Sequence, residues 1–191
     1  MTLAVGFFLM KIAVYAGSFD PLHIGHLAVM KCLSEDGAFD RVYLVVSPQS
    51  PFKNTDTDTA WARFKAAQEA VTRHEGLKVT VEDIELGMEP PYYTIRTLDA
   101  LRSREPGNEF TLVMGGDQLA RLRGWRGWQR ILLEYGIAVY PRSGYDCKTL
   151  RQEIMDEDSR YKITILDAPL VDISSTEIRE AGGKDVDKFL M

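Results

Sequence analysis

The chain has 191 residues and a formal net charge of −5, which suits one domain with a substantial core and supplies no general positive field for nucleic acid. Cys32 and Cys147 are the only cysteines and lack C-x-x-C spacing, so neither a disulfide framework nor a zinc site is expected and a reducing cytoplasm fits. No stretch reaches the ~18 apolar residues of a membrane span.

Residues 3–10 are apolar, but no Lys or Arg precedes them and Lys11 interrupts the run. Cleavage nearby would delete the first strand. Residues 1–10 therefore read as an appendage, not a signal peptide, before a single domain over 11–191. That domain opens with KIAVYAGSFDPLHIGHL (11–27). Residues 12–16 are a short apolar run suited to a strand buried on both faces. Asp20 precedes Pro21 and is biased to extended geometry, which puts the helix start near Ile24. Gly17 and Gly25 let backbone amides approach a ligand closely. His23 and His26 share one face of the first helical turn. Strand, glycine turn and paired imidazoles at a helix N-terminus together suit a phosphate.

The first helix is expected to reach Leu33, followed by a loop over 34–40 and a second buried strand over 41–46. SPQSPFKNTDTD (47–58) is a loop stiffened by Pro48 and Pro51, with Lys53 at its tip. Asp58 or Thr59 caps a helix over 60–74 with Trp61, Phe64 and Ala67 on one face. A third strand follows over 77–84. An amphipathic helix over 94–105 turns Ile95, Leu98 and Leu101 inward, and a fourth strand over 110–114 runs into Gly115-Gly116-Asp117. Beyond the RGWRGW turn (123–128) come a helix to Leu133, strands over 137–140 and 162–166, a helix over 149–156 between them, and a short helix over 175–180. Alternating strands and helices imply α/β architecture, a doubly wound parallel sheet in one domain. G-x-G-x-x-G and Walker A motifs are absent. With strand order 3-2-1-4-5, the carboxyl ends of the first and fourth strands flank the switch point where ligands bind. Those ends carry GSFDPLHIGH and GGD.

GSFDPLHIGH (17–26) resembles the G-x-F-x-P-x-H-x-G-H signature of the nucleotidyltransferase superfamily, and Ile173-Ser174-Ser175-Thr176-Glu177-Ile178-Arg179 resembles its late companion motif. Read without that resemblance, Ser174 and Glu177 are equally a capping box. PYYTIRTL (91–98), VMGGDQLARLRGW (113–125), SPQSPFK (47–53) and YPRSGY (140–145) are similar to blocks of the bacterial nicotinate mononucleotide adenylyltransferases. The resemblance implies a Rossmann-like fold and transfer of AMP from ATP to nicotinate mononucleotide in NAD biosynthesis. Such a transfer needs no protein nucleophile, only in-line positioning and neutralisation of charge on the phosphates.

By this resemblance His23, His26 and Arg179 are catalytic. Gly17, Ser18, Phe19, Gly115, Asp117, Ile173, Ser175 and Thr176 join them around ATP, with Asp117 on a ribose. Lys53, Thr94, Trp125 and Arg142 meet the acceptor, with Trp125 stacked on the pyridine; the alternatives are a core Trp125 and a Thr94 that only caps a helix. Backbone amides near Gly116 and Trp125, or Arg123 or Arg126, are candidates for reading the pyridine carboxylate. Mg2+ is expected on the ATP phosphates, without a dedicated protein cage. The stretch after Arg179, EAGGKDVDKFLM, is shorter than the family's usual continuation. A phosphopantetheine adenylyltransferase, which lacks the G-D…W block, and a nucleotide-binding regulator without catalysis are the rival readings. Partners are then ATP and the mononucleotide, with no nucleic acid and no membrane; a homodimer is compatible with the sequence, which does not fix oligomeric state.

Overall fold

A computed structural model describes residues 9–48, 57–168, 170 and 191. Lys53, Ile173, Ser175, Thr176, Arg179, the helix expected over 175–180 and the short stretch beyond it lie outside the described residues.

Among the described residues six parallel strands stand in the order β3-β2-β1-β4-β5-β6. They are β1 (Lys11–Gly17), β2 (Arg41–Val46), β3 (Val79–Glu82), β4 (Glu109–Gly115), β5 (Ile137–Tyr140) and β6 (Ile163–Ile165). Past an exposed first residue (Lys11, Arg41, Glu109) the central strands are almost wholly apolar, as strands covered on both faces must be. Successive side chains of β1 enter opposite cores. Ile12 and Val14 join the layer formed with Ile95, Leu98 and Leu101. Ala13 and Tyr15 join the layer formed with Val29, Met30, Leu33, Phe64 and Ala67. Helices α1 (Ile24–Glu35) and α2 (Thr57–Thr72) thus cover one face, and α3 (Thr94–Arg104) and α6 (Cys147–Glu157) the other. Short α4 (Gly116–Leu119) follows β4, and α5 (Trp128–Arg130) continues into a π-turn, Ile131–Tyr135, before β5. Met10, the last residue of the expected appendage, is tied to the sheet, since its carbonyl accepts from the Glu109 N–H at 2.8 Å.

Several expectations need correction. Helix α2 begins at Thr57, so Asp58 and Thr59 occupy its first turn and do not cap it. Thr and Asp cap comparably well, and the T-D-T-D-T run over 55–59 gives local chemistry no means of choosing. Its buried stripe is Ala60, Phe64, Ala67 and Ala70, while Trp61 is 44% exposed and lays its ring edge-on to Phe64 at 5.6 Å. The 3.6-residue period selects position 60, one step off the tryptophan. Strand β3 stops at Glu82, because residues Ile84–Gly87 close into a 3-10 turn. The helix expected to end at Leu133 runs to Tyr135. There the Gly136 N–H reaches back to the Ile131 carbonyl at 2.8 Å, a five-residue turn that ends on a glycine at φ +81°. Helix α6 starts at Cys147, two residues before the expected Thr149, because the Asp146 carboxylate caps it by accepting from the N–H groups of Lys148 and Thr149. Strand β6 is confined to Ile163–Ile165, shorter than 162–166.

Candidate active site

The switch point falls between β1 and β4, where one set of crossovers leaves toward β2 and the other toward β5. At the end of β1, Gly17 pairs with Val46 and its carbonyl accepts from the Ser47 N–H at 2.9 Å. The chain then turns sharply. Phe19 takes φ +45°, a left-handed conformation uncommon for a bulky residue, and its ring is buried. It packs edge-on to Tyr15 at 5.4 Å and to His26 at 5.0 Å. Gly17 faces that ring at close range: a Cβ there would lie 3.2 Å from Phe19 Cζ.

His23 is the N-cap of α1 and is buried. Its Nδ1 accepts from the Gly25 N–H at 3.1 Å, and His26 Nδ1 accepts from the His23 N–H at 3.2 Å. This is a capping box built from two imidazoles in place of the usual hydroxyl and carboxylate. It also fixes their chemistry. A ring nitrogen that accepts from a backbone N–H carries no proton, so each neutral imidazole holds its hydrogen on Nε2, the donor end. The rings lie 3.7 Å apart at 32°. Burial, the His23 imidazole and the Arg142 guanidinium push the His26 pKa well below 6.5, so His26 is a neutral donor at pH 7.

Strand β4 delivers the second half of the site. Gly115 caps α4, and Asp117 sits in the first turn of that helix. Asp117 Oδ1 is buried without a hydrogen-bond partner among the described residues, the nearest cation being Arg142 Nε at 3.8 Å. The pocket around it is tight: a Cβ on Gly115 would come within 2.4 Å of Asp117 Oδ1 and 3.1 Å of Tyr140 Cζ. Arg142 also lies over the Tyr140 ring at 5.5 Å. Tyr15 and Tyr140 meet edge-on at 5.9 Å; burial first, then the neighbouring Tyr140 hydroxyl, drives the Tyr15 pKa upward.

Thr94 is the first residue of α3, half-buried, behind Tyr93 at the N-cap. Thr94 is therefore not the capping residue. The turn of Arg-Gly-Trp packs against this helix start, since a Cβ on Gly127 would be 3.4 Å from Ile95. Trp125 is half-buried against the core margin, between the two expectations for it. Arg123, one candidate reader of the pyridine carboxylate, is engaged instead by Glu157 at the end of α6, with its Nε 2.7 Å from the carboxylate. Beneath α3, Glu85 is 2% exposed and accepts from the Thr97 hydroxyl at 2.6 Å, which pins the turn after β3 to the helix that carries Thr94. Burial pushes the Glu85 carboxyl upward.

The structure thus gathers Gly17, Ser18, Phe19, His23, His26, Gly115, Asp117 and Arg142 at the carboxyl ends of β1, β4 and β5, while Thr94 opens α3 and Trp125 packs against the core cluster that contains Ile95. Among the described residues no three His, Cys, Asp or Glu side chains are grouped to hold a metal ion. Tyr15, Tyr140 and Glu85 line or brace this region without a signal in the sequence, since a tyrosine in a buried strand and a glutamate in a polar turn look ordinary. No helix among the described residues is long and apolar enough to cross a membrane.

The family model described as cytidylyltransferase-like matches residues 14–181. A curated relative in Flavobacterium psychrophilum, named "Probable nicotinate-nucleotide adenylyltransferase", is 39% identical over 172 residues, covering 90% of this chain and 86% of its own. One of the same name in Bacteroides fragilis is 36% identical over 183 residues, covering 94% and 87%. Among solved structures, a Plasmodium falciparum nicotinic acid mononucleotide adenylyltransferase complexed with NaAD superimposes with a TM-score of 0.77. It covers 95% of this chain and 90% of its own at 19% identity, a likeness of fold. The span and depth of these matches place the chain in the cytidylyltransferase-like family, among its nicotinate-nucleotide adenylyltransferases.

Proposed function

We propose that the protein transfers the AMP moiety of ATP to nicotinate mononucleotide, forming deamido-NAD and pyrophosphate. A phosphate oxygen of the mononucleotide attacks the α-phosphorus of ATP in line, the bond from that phosphorus to the bridging oxygen of the β-phosphate breaks, and pyrophosphate leaves. ATP enters as its Mg2+ complex, the ion riding on the phosphates. The observation that carries this reading is the paired imidazole capping box, with both rings holding Nε2–H donors at a helix N-terminus on the switch point. Donors of this kind stabilise charge that grows on the α-phosphate as the transition state forms.

Asp117, with its buried unsatisfied oxygen, accepts from a ribose hydroxyl. Arg142, beside Asp117 and electrostatically coupled to His26, faces the acceptor's phosphate. Trp125 stacks on the pyridine ring and Thr94 hydrogen-bonds nearby. Arg179, Ser175 and Thr176 grip the β- and γ-phosphates, and Lys53 assists at the acceptor; their support is the sequence motif. With Arg123 held by Glu157, Arg126 and the amides near Gly116 and Trp125 are the donors for the pyridine carboxylate. Two unpaired cysteines, Cys32 and Cys147, fit a reducing cytoplasm.

The test is pyrophosphate release from Mg-ATP with nicotinate mononucleotide, nicotinamide mononucleotide or phosphopantetheine as acceptor. The proposal predicts the highest kcat/KM with the nicotinate form, because an amide leaves donors meant for a carboxylate poorly matched. Preference for phosphopantetheine, or no release with any acceptor, would contradict it.

A further inference from the structure

Arg63, on α2, belongs to none of the motifs, yet its guanidinium ends at the site. Nη1 donates to the Ser18 carbonyl and, at 3.0 Å, to the Ser47 carbonyl, while Nη2 donates to the Pro48 carbonyl at 3.1 Å. These carbonyls belong to two separate loops, one after β1 and one after β2. The last rung between those strands is Ser47 N–H to Gly17 carbonyl. Past it the strands diverge, and Arg63 is a cross-brace where the ladder has run out. Nη1 alone reaches both loops, and the planar fork adds Nη2 on the Pro48 carbonyl in a fixed geometry; an ammonium on a shorter, flexible stem does not reproduce those three directions together.

What the brace holds is specific. Ser18 precedes Phe19, whose φ of +45° persists only when its surroundings impose it. The Phe19 ring in turn rests edge-on against His26 at 5.0 Å. A shift of the Ser18 carbonyl therefore passes through Phe19 to the imidazole.

We propose that Arg63 is a positioning residue that acts through Ser18 and Phe19 to hold the His23/His26 pair in register with the α-phosphate. The claim rests on the adenylyl-transfer reading above. A misplacement near 1 Å costs on the order of 100-fold in rate, so Arg63→Ala and Arg63→Lys should each lower kcat by about 10- to 100-fold. Neither KM should change more than about threefold, because the brace touches neither substrate. Free guanidinium at tens of millimolar should restore part of the Arg63→Ala rate, and sodium chloride at equal ionic strength should not.

Melting curves run alongside ensure that folded protein is compared; if Arg63→Ala is insoluble, Arg63→Lys, which keeps the charge and the stem, carries the kinetic test alone. A folded variant with kcat within about twofold of wild type, or a loss that only tracks the unfolded fraction, overturns the proposal. The wild-type assay separates this failure from failure of the functional reading. Independently of activity, the His26 imidazole resonances should move in Arg63→Lys, and unchanged resonances would also overturn it.

Discussion

At the residue scale, the proposed transfer rests first on His26. It is a neutral Nε2–H donor, oriented by the backbone N–H on its Nδ1. His26→Ala should lower kcat about 100-fold or more, as loss of a transition-state donor does, with a much smaller change in the KM for ATP. Steady-state kinetics check both, and a near-normal kcat would remove His26 from the mechanism. The depressed pKa has a second consequence, in stability. Below 6.5 the unfolded chain takes up a proton that folded His26 refuses, so the unfolded state gains as pH falls. The contribution is complete above 6.5 and is lost toward the lower folded value. Denaturation across that window should show wild type losing stability relative to His26→Asn by up to about 1.4 kcal/mol per pH unit. Parallel curves for the two proteins would show that burial leaves this imidazole unshifted.

Trp125 tests the acceptor end. Its indole is half-buried and packs at the core margin, which leaves part of the ring in reach of solvent. Stacking is worth about 1–3 kcal/mol, so Trp125→Ala should raise the KM for the mononucleotide about 5- to 150-fold and leave that for ATP nearly unchanged. A fall in Tm with an unaltered acceptor KM would assign the ring to the core.

At the element scale, the critical join is β4 to α4. Gly115 has no room for a side chain, and the atom in the way is the carboxylate oxygen assigned to the ribose. A methyl group there displaces Asp117 more readily than it displaces the strand, because a side chain rotates where a backbone cannot. Gly115→Ala should therefore raise the KM for ATP about tenfold or more, the equivalent of one charged hydrogen bond of about 1.5–3 kcal/mol, with a smaller effect on Tm. Kinetics and melting of the same preparation separate the two; a destabilised protein with normal ATP affinity would mean that the strand yields instead.

Elements were legible where one signal dominated. The central strands announce themselves by unbroken apolar runs, and α3 by Ile95, Leu98 and Leu101 at helical spacing. The start of α2 was not, because Asp58 and Thr59 lie in a T-D-T-D-T run (55–59) of good capping residues that local chemistry does not rank. Nor was the π-turn before β5, which exists so that Ile131, Leu132 and Tyr135 can all be buried, a tertiary demand with no local mark.

At the scale of the whole molecule, the sheet order brings two glycine turns, almost a hundred residues apart in the chain, to one crevice. The nucleotide half of the site was readable because its residues cluster in short motifs with fixed spacing. What tethers those motifs was not. Arg63 reaches carbonyls, which leave no trace in side-chain identity, and Glu85 meets Thr97 only once β3 and α3 are packed. Arg123 reads as a free cation until α6 brings Glu157 to it. Long-range pairing, not local propensity, decides all three.

The central claim is that the crevice moves AMP, not a phosphoryl group, and moves it to a pyridine mononucleotide. Following two labels through a single reaction tests this most directly. With ATP labelled at the α-phosphate and nicotinate mononucleotide, the label should appear in deamido-NAD, and with ATP labelled at the γ-phosphate it should leave in pyrophosphate. Recovery of the γ-label on the mononucleotide, or of the α-label as free AMP with no dinucleotide formed, would contradict the account.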